Sequence, residues 1–337
     1  MAMRDYLQKL IDGNNLDRDE VVAAFDLIMS GELTPAQVAG FLVAMRMKGE
    51  TIEEITGAAS SMRRHAVFVD AGGRSVVDTC GTGGDKLNTF NISTTAAFVV
   101  AGAGVPVAKH GNRAITSKCG SADVLKALGV NIEVGSEVME EWIQEVGIGF
   151  LYAPKLHPAM KHAIGPRREL GVRTIFNMLG PLTNPAGAKG QIIGVFSPEL
   201  TEPFAHVLRE LGGRRAFVVH GQDGMDEITV TTSTRISELR DGAVRTYELD
   251  PAQYIDGCRE LKELVGGEPA ENAAITRSIL SGDEQGAGRE IVLLNAAAAI
   301  VAGEAADDLA TGVKLAAVSI DTGKALAKLE GLIEATK

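Results

Sequence analysis

The chain has 337 residues, 45% of them hydrophobic and 23% charged, a globular balance with ample length for a sizeable core. At roughly 150 residues per domain the length predicts about two domains. A formal charge of -11, from 33 basic against 44 acidic residues, argues against a broad nucleic-acid or anionic-membrane surface.

The first stretch reads as consecutive short helices. Tyr6, Leu7, Leu10 and Ile11 make an apolar stripe, stopped by Gly13-Asn14-Asn15. Asp17 with Glu20 predicts a capping box for the next helix, and Thr34, Pro35 and Gln37 predict a third that ends at Gly49. Thr51 and Glu54 open a fourth. After Gly72-Gly73 the pattern changes. Ser75 to Asp78 reads as a buried strand entering Gly81-Thr82-Gly83-Gly84-Asp85, and Ser93 caps a helix through Val100. Val105 to Ala108 is the next strand, and Ser121 caps a helix through Leu128. Further strands are predicted at Ile148 to Tyr152, Gln191 to Phe196 and Ala216 to His220, with helices between them. This alternation predicts right-handed crossovers and a mainly parallel sheet. Arg235 to Leu239 and Val244 to Leu249, joined through Asp241-Gly242, predict a peripheral hairpin. From Thr276 onward the chain reads as Ala-rich helix. The expected division is a small helical unit over residues 1–70 and a large α/β unit over 71–337.

Cys80, Cys119 and Cys258 stand far apart with no CxxC pair, so neither a disulfide framework nor a zinc site is expected. The start MAMRDYLQKL carries no apolar signal core, and the apolar stretches Thr94 to Ala108 and Ile291 to Ala302 are too short for a membrane span. A reducing, cytoplasmic setting is the expectation.

Ligands of open α/β sheets bind beyond the carboxyl ends of the strands, and four polar, Gly-containing segments fall there. The first is Cys80-Gly-Thr-Gly-Gly-Asp85, followed by Asn88-Thr89 and Asn91-Ile-Ser93-Thr94. Its glycines admit an anion close to backbone amides, and the helix opening at Ser93 offers free N–H groups. The Ser and Thr hydroxyls add donors, and Ser93 would also suit Mg²⁺. Lys86 breaks the dinucleotide pattern, and no GK[ST] follows, so neither common nucleotide loop is present. The second is Lys109-His110-Gly111-Asn112-Arg113-Ala114, whose cations and imidazole suit a phosphate. Asp226-Glu227 is the third, an acidic pair that suits Mg²⁺ beside a phosphate cradle. The fourth runs from Gly165 to Pro185. Its arginines suit a carboxylate, and the residues themselves do not choose among Arg167, Arg168 and Arg173. His157, His162, His206 and Trp142 read as structural. These segments predict a Mg²⁺-dependent enzyme acting on a phosphorylated or pyrophosphorylated small molecule.

Taken in order, Asp78-Thr-Cys-Gly-Thr-Gly-Gly-Asp85, Asn91-Ile-Ser-Thr94, Lys109-His-Gly-Asn-Arg113, Arg173 to Pro185 and Asp223-Gly-Met-Asp-Glu227 resemble the anthranilate phosphoribosyltransferase family across essentially the whole chain. The resemblance implies a nucleoside phosphorylase-type fold, with a later helical stretch near 167–184 joining the small domain, and a homodimer. It implies transfer of the phosphoribosyl group of 5-phosphoribosyl-1-pyrophosphate (PRPP) to anthranilate, with release of pyrophosphate, in tryptophan biosynthesis. PRPP would be bound by Gly81, Gly84, Asp85, Thr89, Asn91, Ile92, Ser93 and Thr94. The second part of its site would be Lys109, His110, Gly111, Asn112, Arg113, Ala114, Ile115, Thr116, Ser117 and Ser121. Ser93, Asp226 and Glu227 would hold Mg²⁺. Gly81, His110, Asn112 and Arg167 would meet anthranilate. No acid or base is assigned; Lys109 and Arg167 would act by charge and positioning. A pyrimidine nucleoside phosphorylase of the same fold would need no Mg²⁺-bound pyrophosphate, and a nucleic-acid-binding relative would show a basic surface and eroded motifs.

Overall fold

The structure is a computed structural model that describes residues 2–85, 87–114, 118–255 and 259–337. Four helices come first: α1 (Met3–Ile11), α2 (Arg18–Ser30), α3 (Pro35–Lys48) and α4 (Ile52–Arg64). Reciprocal capping boxes start three of them, at Asp17/Glu20, Thr34/Gln37 and Thr51/Glu54, with Pro35 in the first turn of α3. Each box satisfies two backbone donors that helix geometry leaves free. Their apolar faces meet in a core that includes Tyr6, Leu10, Phe25, Ile28, Phe41 and Leu42. Ile11 does not join it and is 64% exposed. Met3, Tyr6 and Leu10 form the inward row at helical spacing, and Ile11 lies about 100° further round.

Glu54 does more than cap α4. It is fully buried and accepts hydrogen bonds from Leu16 N (3.0 Å), Thr51 N (2.8 Å) and Lys48 Nζ (2.7 Å). Glu54→Ala frees two amides and leaves the buried Lys48 ammonium with only neutral acceptors, Asn15 Oδ1 (2.9 Å) and Gly49 O (2.7 Å). The expected cost is about 3–5 kcal/mol, read as a lower urea midpoint; an unchanged midpoint would contradict this role.

The rest of the chain winds round one sheet. In order come β1 (Val77–Gly81), α5 (Ile92–Gly102), β2 (Val107–Gly111), α6 (Ser121–Leu128), α7 (Ser136–Glu141), β3 (Ile148–Tyr152), α8 (Ala153–Leu156), α9 (Lys161–Leu170) and α10 (Phe176–Leu179). Next are β4 (Gly190–Gly194), α11 (Thr201–Glu210), β5 (Arg215–Gly221), β6 (Thr234–Arg240) and β7 (Ala243–Leu249). The chain ends with α12 (Pro269–Ser281), α13 (Ala287–Ala302), α14 (Leu309–Asp321) and α15 (Lys324–Ala335). The strand order is β3-β2-β1-β4-β5-β6-β7. The first five of these strands are parallel, and β6 and β7 continue antiparallel. The β6–β7 hairpin turns at Asp241 (φ 51°) and Gly242 (φ 77°), the left-handed pair that matches strand twist.

Several expected boundaries move. β1 starts at Val77 rather than Ser75, because its ladder opens where Val77 faces Val107 on one side and Gly190 on the other. Asn91, not Ser93, precedes α5, and Gly120, not Ser121, precedes α6. Helix α12 begins at Pro269, before the expected Thr276.

One apolar core fills the side of the sheet covered by α5 and α13. The other is shared: Ile193, Val195 and Val218 of the sheet region and Phe204 of α11 join the core of the first four helices. Helix α9 packs on α2 and α3, and α10 on α4; Phe176 of α10 lies 5.5 Å from the Phe25 ring. Among the described residues, no helix is long and apolar enough to cross a membrane.

Candidate active site

From β1 the chain moves to β2 and β3 on one side, then returns to β4 on the other. That reversal opens a crevice beyond Gly81 and Gly194, which are paired at the carboxyl ends of β1 and β4. The acidic loop after β5 fills it. A Cβ on Gly81 would stand 2.5 Å from Asp226 Oδ2, and one on Gly194 would overlap the Asp226 backbone, so both glycines are needed for this approach.

Gly83 N donates to Asp226 Oδ2 (2.8 Å), and Ser93 N donates to Glu227 Oε1 (3.1 Å). The carboxylates therefore touch the glycine loop and the first turn of α5 at once. Burial raises Asp226 to about 7, with Asp85 nearby adding repulsion. Burial also raises Glu227 to about 8, reinforced by Asp226 and opposed by Lys109. Two carboxyls that resist ionising side by side, one of them held by the Ser93 amide, form a hard-oxygen pair that suits a divalent cation. Among the described residues no third His, Cys, Asp or Glu completes a closed chelate. The set fits Mg²⁺, which keeps waters and shares phosphate oxygens.

Lys109 is not a solvated loop cation. It is 3% exposed, and its ammonium donates to the Thr79 carbonyl and lies 3.4 Å from Ser93 Oγ. Burial lowers its pKa, opposed by Asp78. Asp78 is buried too; it accepts from His110 N (3.1 Å) and from Asn184 Nδ2 (2.8 Å), and burial raises its pKa. Asn184 also donates to Ala108 O (2.8 Å), so it ties β1, β2 and the fourth segment together.

His110 is not a solvated loop cation either. Its Nδ1 donates to the Gly180 carbonyl (3.1 Å), which leaves Nε2 to accept from His157 Nε2 at 3.2 Å. Burial pushes His110 down to about 3 and His157 to about 4, so both rings are neutral at physiological pH. His157, expected as merely structural, thus belongs to the site region. Trp142 is core, as expected, and His206 is a half-buried surface residue 3.9 Å from Glu202.

Arg113 is exposed and engaged: Nε donates to Tyr152 OH (3.0 Å), and acidic partners are Glu133 (3.3 Å) and Asp123 (3.7 Å). Asn112 is exposed, while Ser121 Oγ donates to its carbonyl (3.2 Å). Asp123 accepts from Ala114 N and Gly120 N, both at 3.0 Å, folding this loop back on α6. Ile92 and Thr94 are buried in the first turn of α5. Asn91 donates to Cys119 O (3.2 Å) and accepts from Asn272 Nδ2 (3.0 Å). Thr89 forms a bridge with Val265. Ile115, Thr116 and Ser117 lie outside the described residues.

The structure separates the three arginines that the sequence left equal. Arg168 is exposed, and Arg173 Nη2 donates to the Gly84 carbonyl at 2.8 Å. Arg167 lies 5.0 Å over the Phe176 ring, half-buried, and burial lowers its pKa. Among the described residues Arg167 has no carboxylate in ion-pair range. A half-buried guanidinium on an aromatic shelf is a ready carboxylate receptor.

Comparison with known proteins matches both parts of the chain to one family. Residues 4–66 match the family described as "Glycosyl transferase family, helical bundle domain", and residues 73–326 match "Glycosyl transferase family, a/b domain". An anthranilate phosphoribosyltransferase of Desulfosudis oleivorans is 59% identical over 331 residues, covering 98% of each chain. One from Acetivibrio thermocellus is 55% identical, over 99% of this chain and 96% of that one. The chain belongs to the anthranilate phosphoribosyltransferase family. The solved anthranilate phosphoribosyltransferase of Thermus thermophilus superposes with a TM-score of 0.94 at 43% identity, covering 98% of this chain and 99% of that one. That of Saccharomyces cerevisiae, in complex with PRPP and Mg, gives a TM-score of 0.90 at 30% identity, covering 99% and 97%.

Within this member of the anthranilate phosphoribosyltransferase family, sequence reasoning missed Asn295. It sits fully buried in the apolar α13, where its amide accepts from Ile228 N (2.9 Å) and donates to Ile228 O (2.8 Å). It therefore fixes the residue next to Glu227. The available signal was one amide in an Ala-rich helix, since a buried polar group needs partners. Asp223 opens the acidic motif segment. Its carboxylate accepts from Thr229 and Thr231 hydroxyls, both at 2.6 Å, and shapes the same loop.

Proposed function

We propose that the crevice at the β1/β4 reversal performs anthranilate phosphoribosyl transfer with the roles that follow. The observation that carries this reading is the pairing of two half-sites. An acidic pair bridges the glycine loop and the start of α5 on one side. On the other lies Arg167, stacked on Phe176 and with no carboxylate partner among the described residues.

The reaction joins the amine of anthranilate to C1 of PRPP, breaks the C1–O bond and releases pyrophosphate with the bonding electrons. Gly81, Gly83, Gly84, Asp85, Thr89 and the first turn of α5 from Asn91 to Thr94 bind the donor. So do Lys109 to Ser117 and Ser121, with Lys109 placing its charge beneath Ser93. Asp226, Glu227 and the Ser93 hydroxyl hold Mg²⁺. When bound, Mg²⁺ screens the charge that grows on the leaving pyrophosphate. Arg167 takes the anthranilate carboxylate; Gly81, Asn112 and neutral His110 line its ring. An aromatic amine is largely unprotonated at neutral pH, so positioning counts for more than proton abstraction. Movement of the helical unit about Pro181 to Pro185 would close the crevice against water.

The same reading divides the chain near residue 70, with residues 167–184 serving the small unit, and makes the protein a cytoplasmic homodimer. Exposed Ile11, Met47 and Ile164 on the helical unit are apolar side chains that a second copy would cover, and Cys80 and Cys119 are free thiols suited to a reducing compartment.

The test is the loss of anthranilate fluorescence on adding PRPP with Mg²⁺; turnover equal to an enzyme-free control overturns the reading. The raised carboxyls add a pH signature. Because Asp226 and Glu227 titrate near 7 and 8 in the fold, above the ordinary carboxylate range, the metal-free protein holds extra protons. Its stability should fall as pH rises from the ordinary carboxylate range to about 8, and level off above it. Mg²⁺ must displace those protons, so its affinity should rise over the same range. Calorimetry at pH 7 in buffers of different ionisation enthalpy is expected to show proton release; identical heats would contradict it.

A further inference from the structure

The fourth segment contributes a contact to the donor side that neither its family likeness nor its carboxylate chemistry calls for. Arg173 stands between the αL cap Gly171 of α9 and the start of α10. Its guanidinium lies 4.1 Å from the centre of the Phe196 ring, just beyond β4. From that shelf Nη2 donates to the carbonyl of Gly84 (2.8 Å). Gly84 has φ +87°, and a Cβ there would stand 2.6 Å from Arg173 Nη2, so the contact requires glycine. The shelf is itself tied to the loop, because the hydroxyl of Thr82 and the amide of Phe196 meet at 3.1 Å.

The glycine loop is therefore gripped from two directions. The large unit holds it by the acidic pair, through Gly83 N and Asp226. Arg173 holds it from the segment that packs on the helical unit and carries Arg167. Three residues beyond Arg173, Phe176 touches both the Arg167 guanidinium and the Phe25 ring. A short packed stretch thus joins Arg167, through Phe176 and Arg173, to the Gly84 carbonyl.

We propose that Arg173 is a positioning residue that couples the two substrates: it sets the donor-binding loop according to the state of the acceptor-binding segment. This rests on the proposed function above. A charged hydrogen bond to one loop carbonyl, backed by an aromatic face, has the strength to change donor affinity about 10-fold.

The test compares wild type, Arg173→Ala, Arg173→Lys and Phe196→Leu, each checked for an unchanged circular dichroism spectrum and melting point within a few degrees. Steady-state assays give the two KM values and kcat. Calorimetry gives PRPP affinity in Mg²⁺ with and without benzoate, a carboxylated ring that has no amine to react. Arg173→Ala should raise the PRPP KM about 10-fold and the anthranilate KM about 2-fold or less. Benzoate should tighten PRPP binding to wild type and have no such effect on Arg173→Ala. Arg173→Lys should recover part of the coupling, and Phe196→Leu should lose part of it. Unchanged PRPP KM in Arg173→Ala, equal rises in both KM values, or undiminished benzoate coupling would overturn the proposal. Absence of turnover by wild type would instead overturn the function on which it rests.

Discussion

Replacing Asp226 and Glu227 together by Asn and Gln is expected to lower kcat about 100-fold or more, the scale for losing electrostatic stabilisation of a leaving group. The amides keep the shape of the pair, and each retains an oxygen able to accept from Gly83 N or Ser93 N, contacts of 2.8 and 3.1 Å in the native site. The loop also keeps its own supports, Asn295 on Ile228 and Asp223 on two threonines. Folding should survive, and melting at pH 8 should match or exceed wild type, because two buried carboxyls no longer need to ionise. The Mg²⁺ concentration for half-maximal rate should rise steeply. An unchanged Mg²⁺ dependence with full kcat would remove the metal role from this pair.

Arg167→Ala is expected to raise the KM for anthranilate about 10-fold or more, corresponding to a charged hydrogen bond of about 1.5–3 kcal/mol. The guanidinium has no carboxylate of its own in ion-pair range among the described residues, so its free hydrogen-bond donors await a ligand. Its stack on Phe176 orients the fork without consuming those donors. The PRPP KM should change less. Arg167→Lys keeps charge but not the planar fork, and should fall between alanine and wild type. Exposed Arg168→Ala serves as the control and should stay within about 2-fold of wild type in both KM values, as expected of a solvated charge. Equal effects of Arg167→Ala on both substrates would contradict the assignment.

Much of this molecule was legible one residue after another. Capping boxes join side chains three positions apart, and the Asp241-Gly242 turn needs only its own two dihedral angles. Such signals carry their partners with them, so the first four helices, the hairpin and the glycine loop could be placed from the chain alone. The motif segments were equally legible, because glycines, hydroxyls and acids mark where phosphate and metal chemistry belong.

Other features depend on partners far away in the chain. The start of β1 follows from its ladders with β2 and β4. Ser93 looked like a cap, yet its amide is taken by Glu227, 134 residues later. Lys109 and His110 looked like loop cations; β2 instead carries the ammonium under Thr79 and shuts the imidazole against His157, where burial keeps it neutral. Arg167, Arg168 and Arg173 are equivalent as letters, and only a phenyl shelf, solvent or the Gly84 carbonyl tells them apart. By itself the sequence determined the helices, the turns and the kinds of chemistry present, since those rest on short-range geometry. Tertiary structure decided which charges are buried, which are paired and which remain free, because desolvation and pairing depend on neighbours that only the folded sheet and its packed helices bring together.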